Sequence, residues 1–434
     1  MLDKTRIRRN IHTYPFKYEY VDDKHFFAPD TAVIYIHIPF CNTKCHFCDY
    51  VVYTNTSQDL REEYVQALCK EISAFPENRA FPSFRIDAVY VGGGTPGLLT
   101  AEQLTRILDT VRATFEMEAD CEVAVEFDPG CVERDKLKAV KDAGYTRMSI
   151  GVQTFSEELL KANNRPHDLA SVYAAWEAIE DVGFEHTNID LIYPLIGLDL
   201  ATWRDSLSQA IGMAPTCITA YPLEVWPKTA YHNWLIGKHN ETLPEPVEEM
   251  EMCQLAFDML EQAGYRRYST SGYYHPGRFD TYCRYLEYYW RTWPLIGFGV
   301  SSKSVIYDRL YANIRPIKKY IERVNAGESI LDFATRMNRD QEMRRVMIRG
   351  LKMCEVSRAD FRARFGVPME TVFGREIEDL IARDLIAGTE EDIHLTRRGQ
   401  MFSTNVYETF YTEDDLRKPE EGEVQFGISE LVMS

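Results

Sequence analysis

Three cysteines, Cys41, Cys45 and Cys48, lie close together in the segment CNTKCHFC. At spacings of four and three residues, three thiolates can bind three irons of a four-iron cluster and leave the fourth iron open to a substrate atom. Zinc is the alternative metal, but a structural zinc site usually has four nitrogen or sulfur ligands. His46 is the nearby candidate for a fourth ligand, yet its ring would have to fold back past the flanking thiols. The spacing therefore favours a 4Fe-4S cluster, with zinc as the alternative.

A glycine-rich run, VYVGGGTPGLL over 89–99, continues a short apolar segment that predicts a buried strand. Glycines allow the backbone to approach a ligand closely and can expose N–H groups to an anionic oxygen. No Gly-Lys-Ser/Thr follows the run, so it is not a P-loop and a nucleotide phosphate is not expected. A tight turn alone would explain the glycines. Together with the cysteines, however, they indicate a small zwitterion whose amine and carboxylate chelate the open iron.

The elements that must position these residues alternate between short apolar runs and amphipathic stretches. Strands are predicted over 31–38, 86–91, 121–127, 146–152, 188–192 and 217–223. Helices are predicted over 57–75, 100–115, 132–142, 168–182 and 201–213. Such alternation implies right-handed crossovers and a parallel sheet. We therefore predict the α/β class, with a partial (β/α)6 TIM-like barrel.

A different pattern follows residue 325. Helices are predicted over 338–353, 357–366 and 369–385, and a pair of short strands over 385–396. Three helices with a small β-wing are typical of a winged-helix domain, which in other proteins can bind DNA. Between Asp332 and Phe410 the chain has 13 basic and 14 acidic side chains, so it lacks the positive charge of a DNA-binding surface. This C-terminal winged-helix-like α-helical domain is therefore interpreted as a packing or lid domain.

We accordingly divide the chain into four parts. These are an N-terminal arm (1–30), the barrel with its extension (31–325), the winged-helix-like domain (326–412) and an acidic tail (413–434). The 434-residue chain has 49 basic and 67 acidic residues, a net charge of −18, which argues against nucleic acid as a partner. No long apolar stretch and no apolar leader is visible, so we expect a cytoplasmic protein without membrane contact. The seven other cysteines are interpreted as small buried residues.

Several segments carry a family resemblance. In order along the chain they are YIHIPFCNTKCHFC, VYVGGGTP, VEFDPG, RMSIGVQTF, NNRPHD, NIDLIYPLIG and LIGFGVSS. The cysteine triplet followed by GGxTP resembles the radical S-adenosylmethionine (SAM) enzymes. The whole set, over about residues 30–305, resembles the oxygen-independent coproporphyrinogen III oxidase-like family, and LTRRGQMFSTNVYETF (395–410) resembles that family's C-terminal domain. The resemblance implies a 4Fe-4S cluster and S-adenosyl-L-methionine as cofactors.

The same resemblance implies roles for individual residues. Residues matching the family's contacts to the cluster-bound SAM are Tyr35, Gly93 and Glu126. Residues matching its contacts to a second SAM are Phe47, Gly94, Thr95, Gln153, Arg165 and Asp190. Carboxylates suit ribose hydroxyls or an ammonium group, and arginine suits a carboxylate. No catalytic residue is assigned, but Tyr35 and Lys303 are candidates. Two SAM molecules are therefore expected.

The departures from the family are equally informative. The decarboxylases have a Gln-Gly-Tyr-Thr stretch that this chain lacks, and the haem-carrier branch has His-Asn-x-x-Tyr-Trp where this chain has YLEYYW (285–290). Lys303 stands where the decarboxylases have an apolar residue. From Tyr273 to Trp293, nine of 21 residues are aromatic, which predicts an aromatic wall around a flat substrate. His275, Cys283, Arg284 and Glu287 lie in this segment and could reach that substrate.

The expected function follows from these departures. The kept second-site residues favour the class C methyltransferase/cyclopropanase branch, in which a second SAM gives a methyl or methylene group to an sp² carbon of an aromatic or tetrapyrrole substrate. One alternative is a coproporphyrinogen-type oxidative decarboxylase, with Arg278, Arg284 and Arg291 available for the substrate carboxylates. The other is a haem-binding carrier without enzyme activity. For either enzyme, a reductase or flavodoxin-type electron donor is the expected protein partner.

Overall fold

The computed structural model describes residues 30–77, 84–227, 229–236, 243–278, 282–306 and 308–413. The predicted N-terminal arm and acidic tail lie outside these residues, apart from Asp30 and Glu413. None of the described helices is both long and apolar enough to cross a lipid bilayer.

The chain forms fifteen strands within the described residues. They are β1 (Thr31–Ile38), β2 (Arg85–Gly93), β3 (Glu116–Phe127), β4 (Arg147–Gln153), β5 (His186–Tyr193), β6 (Cys217–Pro222), β7 (Arg266–Arg267), β8 (Gly272–Tyr274), β9 (Leu295–Phe298), β10 (Lys303–Ile306), β11 (Arg309–Asn313), β12 (Leu331–Arg336), β13 (Glu355–Ser357), β14 (Ile386–Gly388) and β15 (Asp392–Leu395).

The α-helices of the described residues connect these strands and build the C-terminal domain. They are α1 (Gln58–Ala74), α2 (Ala101–Thr114), α3 (Arg134–Asp142), α4 (Glu157–Ala162), α5 (Leu169–Val182), α6 (Leu200–Met213), α7 (Ala230–Ile236), α8 (Pro246–Gln262), α9 (Arg284–Arg291), α10 (Ile317–Ala326), α11 (Arg339–Gly350), α12 (Arg358–Phe365), α13 (Met369–Ala382), α14 (Arg397–Met401) and α15 (Ser403–Glu408).

Twelve strands form one sheet in the order β12-β11-β10-β9-β1-β2-β3-β4-β5-β6-β8-β7. The seven central strands, from β9 to β6, are parallel, and the outer strands are added antiparallel. The sheet stays open between β12 and β7. The predicted partial barrel with six β/α units is therefore confirmed, within a wider mixed sheet.

Local signals explain where the first helices begin. Ser57 accepts a hydrogen bond from the backbone N–H of Leu60, and Thr100 forms a reciprocal capping box with Gln103. Behind them, β1 is buried along almost its whole length because helices cover the outer face of the sheet. This packing fixes the strand ends, and the loops that follow them carry the candidate site.

The C-terminal helices pack around a second apolar core. Phe361, Phe373 and Phe410 lie at its centre, and a small antiparallel sheet in the order β13-β15-β14 forms the wing. The winged-helix-like prediction is therefore consistent with the structure. The helix α9 and the strands β10–β12 were not predicted. In α9, Tyr285, Tyr288 and Tyr289 share one face, but the eight residues RYLEYYWR span only about two helical turns, which is too short a stretch for the periodicity to be recognised.

Candidate functional site

Polar side chains line the concave face of the parallel sheet. Because side chains alternate between the two faces of a strand, every second residue of each strand points to this side. Those residues include Tyr35 and His37 of β1, Arg147 and Ser149 of β4, Asn188 and Asp190 of β5, and Thr219 and Tyr221 of β6. They surround a cavity of about 950 Å³.

The site residues predicted from the sequence all line this same cavity. They are Cys41, Cys45, Cys48, Tyr35, Phe47, Gly93, Gly94, Thr95, Glu126, Gln153, Arg165, Asp190 and Lys303. They come from six strands and three loops, so the fold brings together residues up to 268 positions apart. This convergence makes the cavity the candidate functional site.

The three cysteines lie on the loop that follows β1, and all three are free thiols. The backbone of Cys41 is fixed by a 3.1 Å hydrogen bond from its N–H to the carbonyl of Tyr53, and its sulfur lies 3.7 Å from Thr95 Oγ1. Burial raises the pKa of the Cys41 thiol to about 11 and that of Cys48 to about 12. Such thiols ionise at neutral pH when a bound cation stabilises the thiolate.

The donor set fits an iron–sulfur cluster better than a single metal ion. Three thiols on one cavity wall suit a cluster because each thiolate binds a separate iron. Among the described residues, no three His, Cys, Asp or Glu side chains converge closely enough to hold one ion. His46, considered above as a fourth zinc ligand, bonds through Nδ1 to the carbonyl of Ala162 at 2.9 Å and packs edge-on against Trp234. It is therefore engaged elsewhere.

The glycine run packs against the cysteine loop. A Cβ added to Gly94 would lie 2.6 Å from the carbonyl oxygen of Phe40, so only glycine fits there. The N–H groups of Gly94 and Thr95 donate to the carbonyls of Ile38 and Phe40 at 2.8 and 2.7 Å. These groups were expected to face an anionic ligand, and here they bind backbone instead. The glycines serve close approach: they hold the end of β2 against the start of the cysteine loop.

Tyr35 is held by a histidine that the sequence reasoning missed. Tyr35 Oη lies 2.9 Å from His37 Nδ1, and His37 Nε2 lies 3.1 Å from the carbonyl of Val51. Since a carbonyl can only accept, Nε2 carries the proton and Tyr35 donates to Nδ1. Burial lowers the pKa of His37 to about 4, so the ring stays neutral. His37 thus ties Tyr35 to the end of the cysteine loop. Its position two residues after Tyr35, on the same face of β1, is the signal that could have found it.

Two buried carboxyl groups face the centre of the cavity. Glu126 accepts from Tyr90 Oη at 2.5 Å and from the N–H of Gly93 at 3.2 Å. Burial, opposed by the Tyr90 hydrogen bond, raises the pKa of Glu126 to about 7. Asp190 accepts from Asn188 Nδ2 at 2.8 Å, and burial raises the pKa of Asp190 as well. Both groups can bind a hydroxyl or an ammonium group of a ligand.

Arg165 connects the cluster loop to two further residues. Its guanidinium donates to the sulfur of Cys45 and to Asp128 Oδ2, and Asp128 also bonds His167 Nδ1 at 3.0 Å. Asp128 and His167 belong to the motifs VEFDPG and NNRPHD, but neither was assigned a role from the sequence. The buried side chains hold Arg165 in place above the cysteine loop.

The remaining predicted SAM contacts lie at the edges of the cavity. Gln153 has φ +72°, in the left-handed region that glycine favours, and its Oε1 accepts from Tyr221 Oη at 3.3 Å. Strained backbone of this kind clusters at functional sites. Phe47 packs edge-on against Tyr231 at 6.4 Å between ring centroids. Both side chains are therefore oriented by aromatic neighbours.

The predicted aromatic wall exists and is formed mainly by α9. The ring of Tyr285 stacks on Tyr90 at 4.5 Å and on Tyr35 at 5.7 Å, and Tyr289 and Trp290 continue the wall. Helix α11 supports it, because the Arg349 guanidinium lies 4.0 Å from the centre of the Tyr289 ring. The wall therefore joins the barrel to the C-terminal domain.

The polar residues expected to reach a substrate from this segment mostly do not. Arg284 pairs with Asp87 and Asp120, Arg291 pairs with Glu287 and Glu355, and Arg278 donates to the carbonyl of Ala214. His275 packs edge-on against Tyr265, away from the residues that line the cavity. Cys283 is the exception, since it lines the cavity. The three arginines that were candidates for binding the carboxylates of a decarboxylase substrate are therefore engaged in other contacts.

Comparison with known proteins agrees with this geometry. Residues 35–210 match the Radical SAM superfamily, and residues 337–402 match the HemN C-terminal domain. The chain is 30% identical over 381 residues to the heme chaperone HemW of Bacillus subtilis, covering 87% of this chain and 99% of that protein. It is 28% identical over 390 residues to the oxygen-independent coproporphyrinogen III oxidase of Salmonella typhimurium, covering 86% and 84%.

A solved structure has the same fold. It is the coproporphyrinogen III oxidase HemN from Escherichia coli, described as a radical SAM enzyme, with a TM-score of 0.75 at 24% identity. The likeness covers 89% of this chain and 92% of that one. The radical SAM fold implies a 4Fe-4S cluster and SAM, in agreement with the cysteines and the cavity.

Proposed function

Since this chain belongs to the family of radical SAM proteins that includes heme chaperone HemW and oxygen-independent coproporphyrinogen III oxidase, we propose that it is a radical SAM enzyme with a tetrapyrrole substrate. One observation carries the proposal. The cysteine loop, the candidate SAM contacts and the aromatic wall of α9 all line a single cavity. A radical formed at the cysteine end therefore has a flat aromatic surface within the same enclosed space.

Some residues of the chain would bind the cluster and SAM, and others would protect the radical from water and oxygen. When bound, the cluster and SAM together supply an electron source and a hydrogen-abstracting radical. Cys41, Cys45 and Cys48 would hold three of the irons. Glu126 and Asp190 would accept hydrogen bonds from SAM, and Arg165 would bind its carboxylate. The barrel and the C-terminal domain would limit the access of water and oxygen to the cavity between them.

The aromatic wall supports a flat, conjugated substrate. Tyr285, Tyr289 and Trp290 offer ring faces on which a macrocycle can stack with little loss of side-chain entropy. The names of both groups of relatives refer to tetrapyrroles, heme in one and coproporphyrinogen III in the other. A tetrapyrrole is therefore the substrate class that both the wall and the relatives support.

Methyl transfer, expected from the sequence, is not supported by these relatives. The relatives are named as an oxygen-independent coproporphyrinogen III oxidase and as a heme chaperone, which correspond to the decarboxylase and haem-carrier alternatives. Haem carriage is the second candidate function, favoured by the relative at 30% identity that the chain spans almost completely. Tyr285 argues against haem carriage, because it occupies the position of the carrier branch's histidine and its ring stacks on Tyr90 and Tyr35.

The test is anaerobic turnover of the reconstituted full-length chain. Wild type and Cys41→Ala are given dithionite and SAM, with coproporphyrinogen III or haem, and 5′-deoxyadenosine is measured. Deoxyadenosine formed by the wild type alone, and increased by a tetrapyrrole, would support the proposal. Haem binding without any deoxyadenosine would favour the carrier. S-adenosylhomocysteine in the product mixture would identify a second SAM as a methyl donor, and carbon dioxide would identify decarboxylation.

A further inference from the structure

The cavity contains a cation that the SAM and cluster contacts do not use. Lys303 begins β10, where the sheet turns antiparallel, and its side chain lines the cavity together with the aromatic wall. Ser301, two residues earlier, has φ +60° and also lines the cavity. A left-handed serine turns the chain sharply before β10, and this turn aims the lysine at the cavity.

The charges around Lys303 are mostly of its own sign. Asp49 is the carboxylate that acts on it, whereas the guanidinium groups of Arg315, Arg345 and Arg349 all oppose its charge. Among the described residues, none forms an ion pair with the lysine ammonium. Burial, offset partly by Asp49, lowers the pKa of Lys303 to about 7. A buried ammonium among like charges is costly unless an anion accompanies it.

The position of this cation relative to the wall indicates what the anion is attached to. Arg349, whose charge acts on Lys303, lies 4.0 Å from the centre of the Tyr289 ring. Lys352, which lines the cavity, lies 5.4 Å from the centre of the Trp290 ring. A macrocycle stacked on these rings would therefore have its edge beside the cations. The carboxylate arms of a porphyrin extend from that edge.

Resting on the proposed function, we propose that Lys303 and Arg315 form a subsite that binds a carboxylate arm of the tetrapyrrole. Both residues line the cavity, Lys303 at the start of β10 and Arg315 just after β11, and these strands pair directly. An ammonium and a guanidinium that line one cavity, with the charge of Arg315 acting on Lys303, can each donate to one carboxylate oxygen. The subsite would orient the macrocycle by holding one edge, while the aromatic wall holds its face.

The experiment compares iron protoporphyrin IX with its dimethyl ester, which lacks the negative charges. Each is titrated by absorbance into the anaerobically reconstituted full-length protein, in the same solvent mixture. We expect wild type to bind the free acid about 10- to 100-fold more tightly than the ester, the range of one charge-assisted hydrogen bond. Lys303→Met should remove most of this preference, and Lys303→Arg should keep it.

The test includes a matched control variant, and two results would contradict the proposal. Lys319→Met makes the same chemical change on the exposed side of α10 and should leave the acid-to-ester ratio unchanged. Arg315→Met should lower the ratio independently, so the inference can be tested even if Lys303→Met does not fold. Equal binding of acid and ester by the wild type would overturn this inference alone. Failure of the wild type to bind either porphyrin would overturn the proposed function as well.

Discussion

The guanidinium of Arg165 lies 3.1 Å from the sulfur of Cys45, measured from Nη1. Its other terminal nitrogen, Nη2, donates to Asp128 at 2.7 Å, and Asp128 is held in turn by His167. Cys45, a proposed cluster ligand, therefore accepts a hydrogen bond from a charged donor that is itself fixed by two buried side chains. Hydrogen bonds to the sulfurs are among the factors that set the reduction potential of iron–sulfur clusters.

Replacement of Arg165 should change that potential. We expect Arg165→Met to lower the midpoint potential of the reconstituted cluster by tens of millivolts, because a donor and a positive charge that stabilise the reduced form are lost. The measurement is a redox titration followed by electron paramagnetic resonance. Arg134→Met removes an exposed arginine from α3 and should leave the potential unchanged. The same potential in wild type and Arg165→Met would show that the contact does not affect the cluster.

The raised pKa of Glu126 predicts a pH-dependent stability difference. The folded chain keeps this proton up to about pH 7, whereas an unfolded glutamate loses it near pH 4.5. Wild type therefore loses stability, relative to Glu126→Gln, as the pH rises from about 4.5 to 7. Above pH 7 the apo variant should be more stable by about 1–3 kcal/mol, and at pH 4.5 the two should be equal.

Chemical denaturation of the apoproteins at several pH values measures this difference. Glu177→Gln, an exposed residue of α5, is the control and should follow wild type throughout. A gap between wild type and Glu126→Gln that does not change with pH would exclude titration of Glu126 as its cause. In the reconstituted enzyme, the same Glu126→Gln change should reduce deoxyadenosine formation, since a ligand contact is lost.

Tyr285 offers a test of the haem-carrier alternative. It stands where the carrier branch has histidine, and its ring lies 4.5 Å from that of Tyr90. We expect Tyr285→His to bind haem about tenfold more tightly than wild type, because imidazole can ligate the iron, and to shift the Soret band. Tyr288→His, on the same helix but outside the cavity lining, is the control. A wild type that already shows the spectrum of an imidazole-ligated haem would contradict this expectation.

The buried pair of Arg147 and Glu122 should contribute strongly to stability at the base of the barrel. The two groups are 2.8 Å apart, with 2% and 4% of their side chains exposed. Arg147→Met should cost about 3–5 kcal/mol in the free energy of unfolding, because a buried carboxylate loses its partner. Adding Glu122→Gln should recover much of that loss. The exposed pair of Arg134 and Asp181 is the comparison, and Arg134→Met should cost less than about 1 kcal/mol.

The parallel strands and the cluster loop could be predicted from the sequence because each signal is local. A run such as TAVIYIHI is buried on both faces, and the cysteine spacing needs only eight consecutive residues. The stacking of Tyr35 on Tyr285 could not be predicted, since 250 residues separate them and only the fold brings them together. The same reason explains the failure for Arg284, whose partners Asp87 and Asp120 lie far away in the chain.

Contacts that depend on the rotamer of a single side chain could not be predicted from the sequence either. His37 and Asp128 sit in recognisable motifs, but a motif does not tell which neighbour a side chain meets. For the glycine run, the motif suggested a ligand contact, and the structure shows which groups within the chain these residues contact. Its composition suggested N–H groups that face an anionic ligand, whereas those of Gly94 and Thr95 attach the end of β2 to the loop after β1 and that of Gly93 donates to the Glu126 carboxylate.

The wall formed by α9 contacts both the barrel and the C-terminal domain, each of which has its own hydrophobic core. Its tyrosines pack on the barrel through Tyr35 and Tyr90, while Arg349 and Lys352 of the C-terminal domain contact its outer end. The cysteine loop and the candidate SAM contacts belong to the barrel alone. A change within this short helix would therefore alter the surface that meets a flat ligand while leaving the cysteine loop as it is.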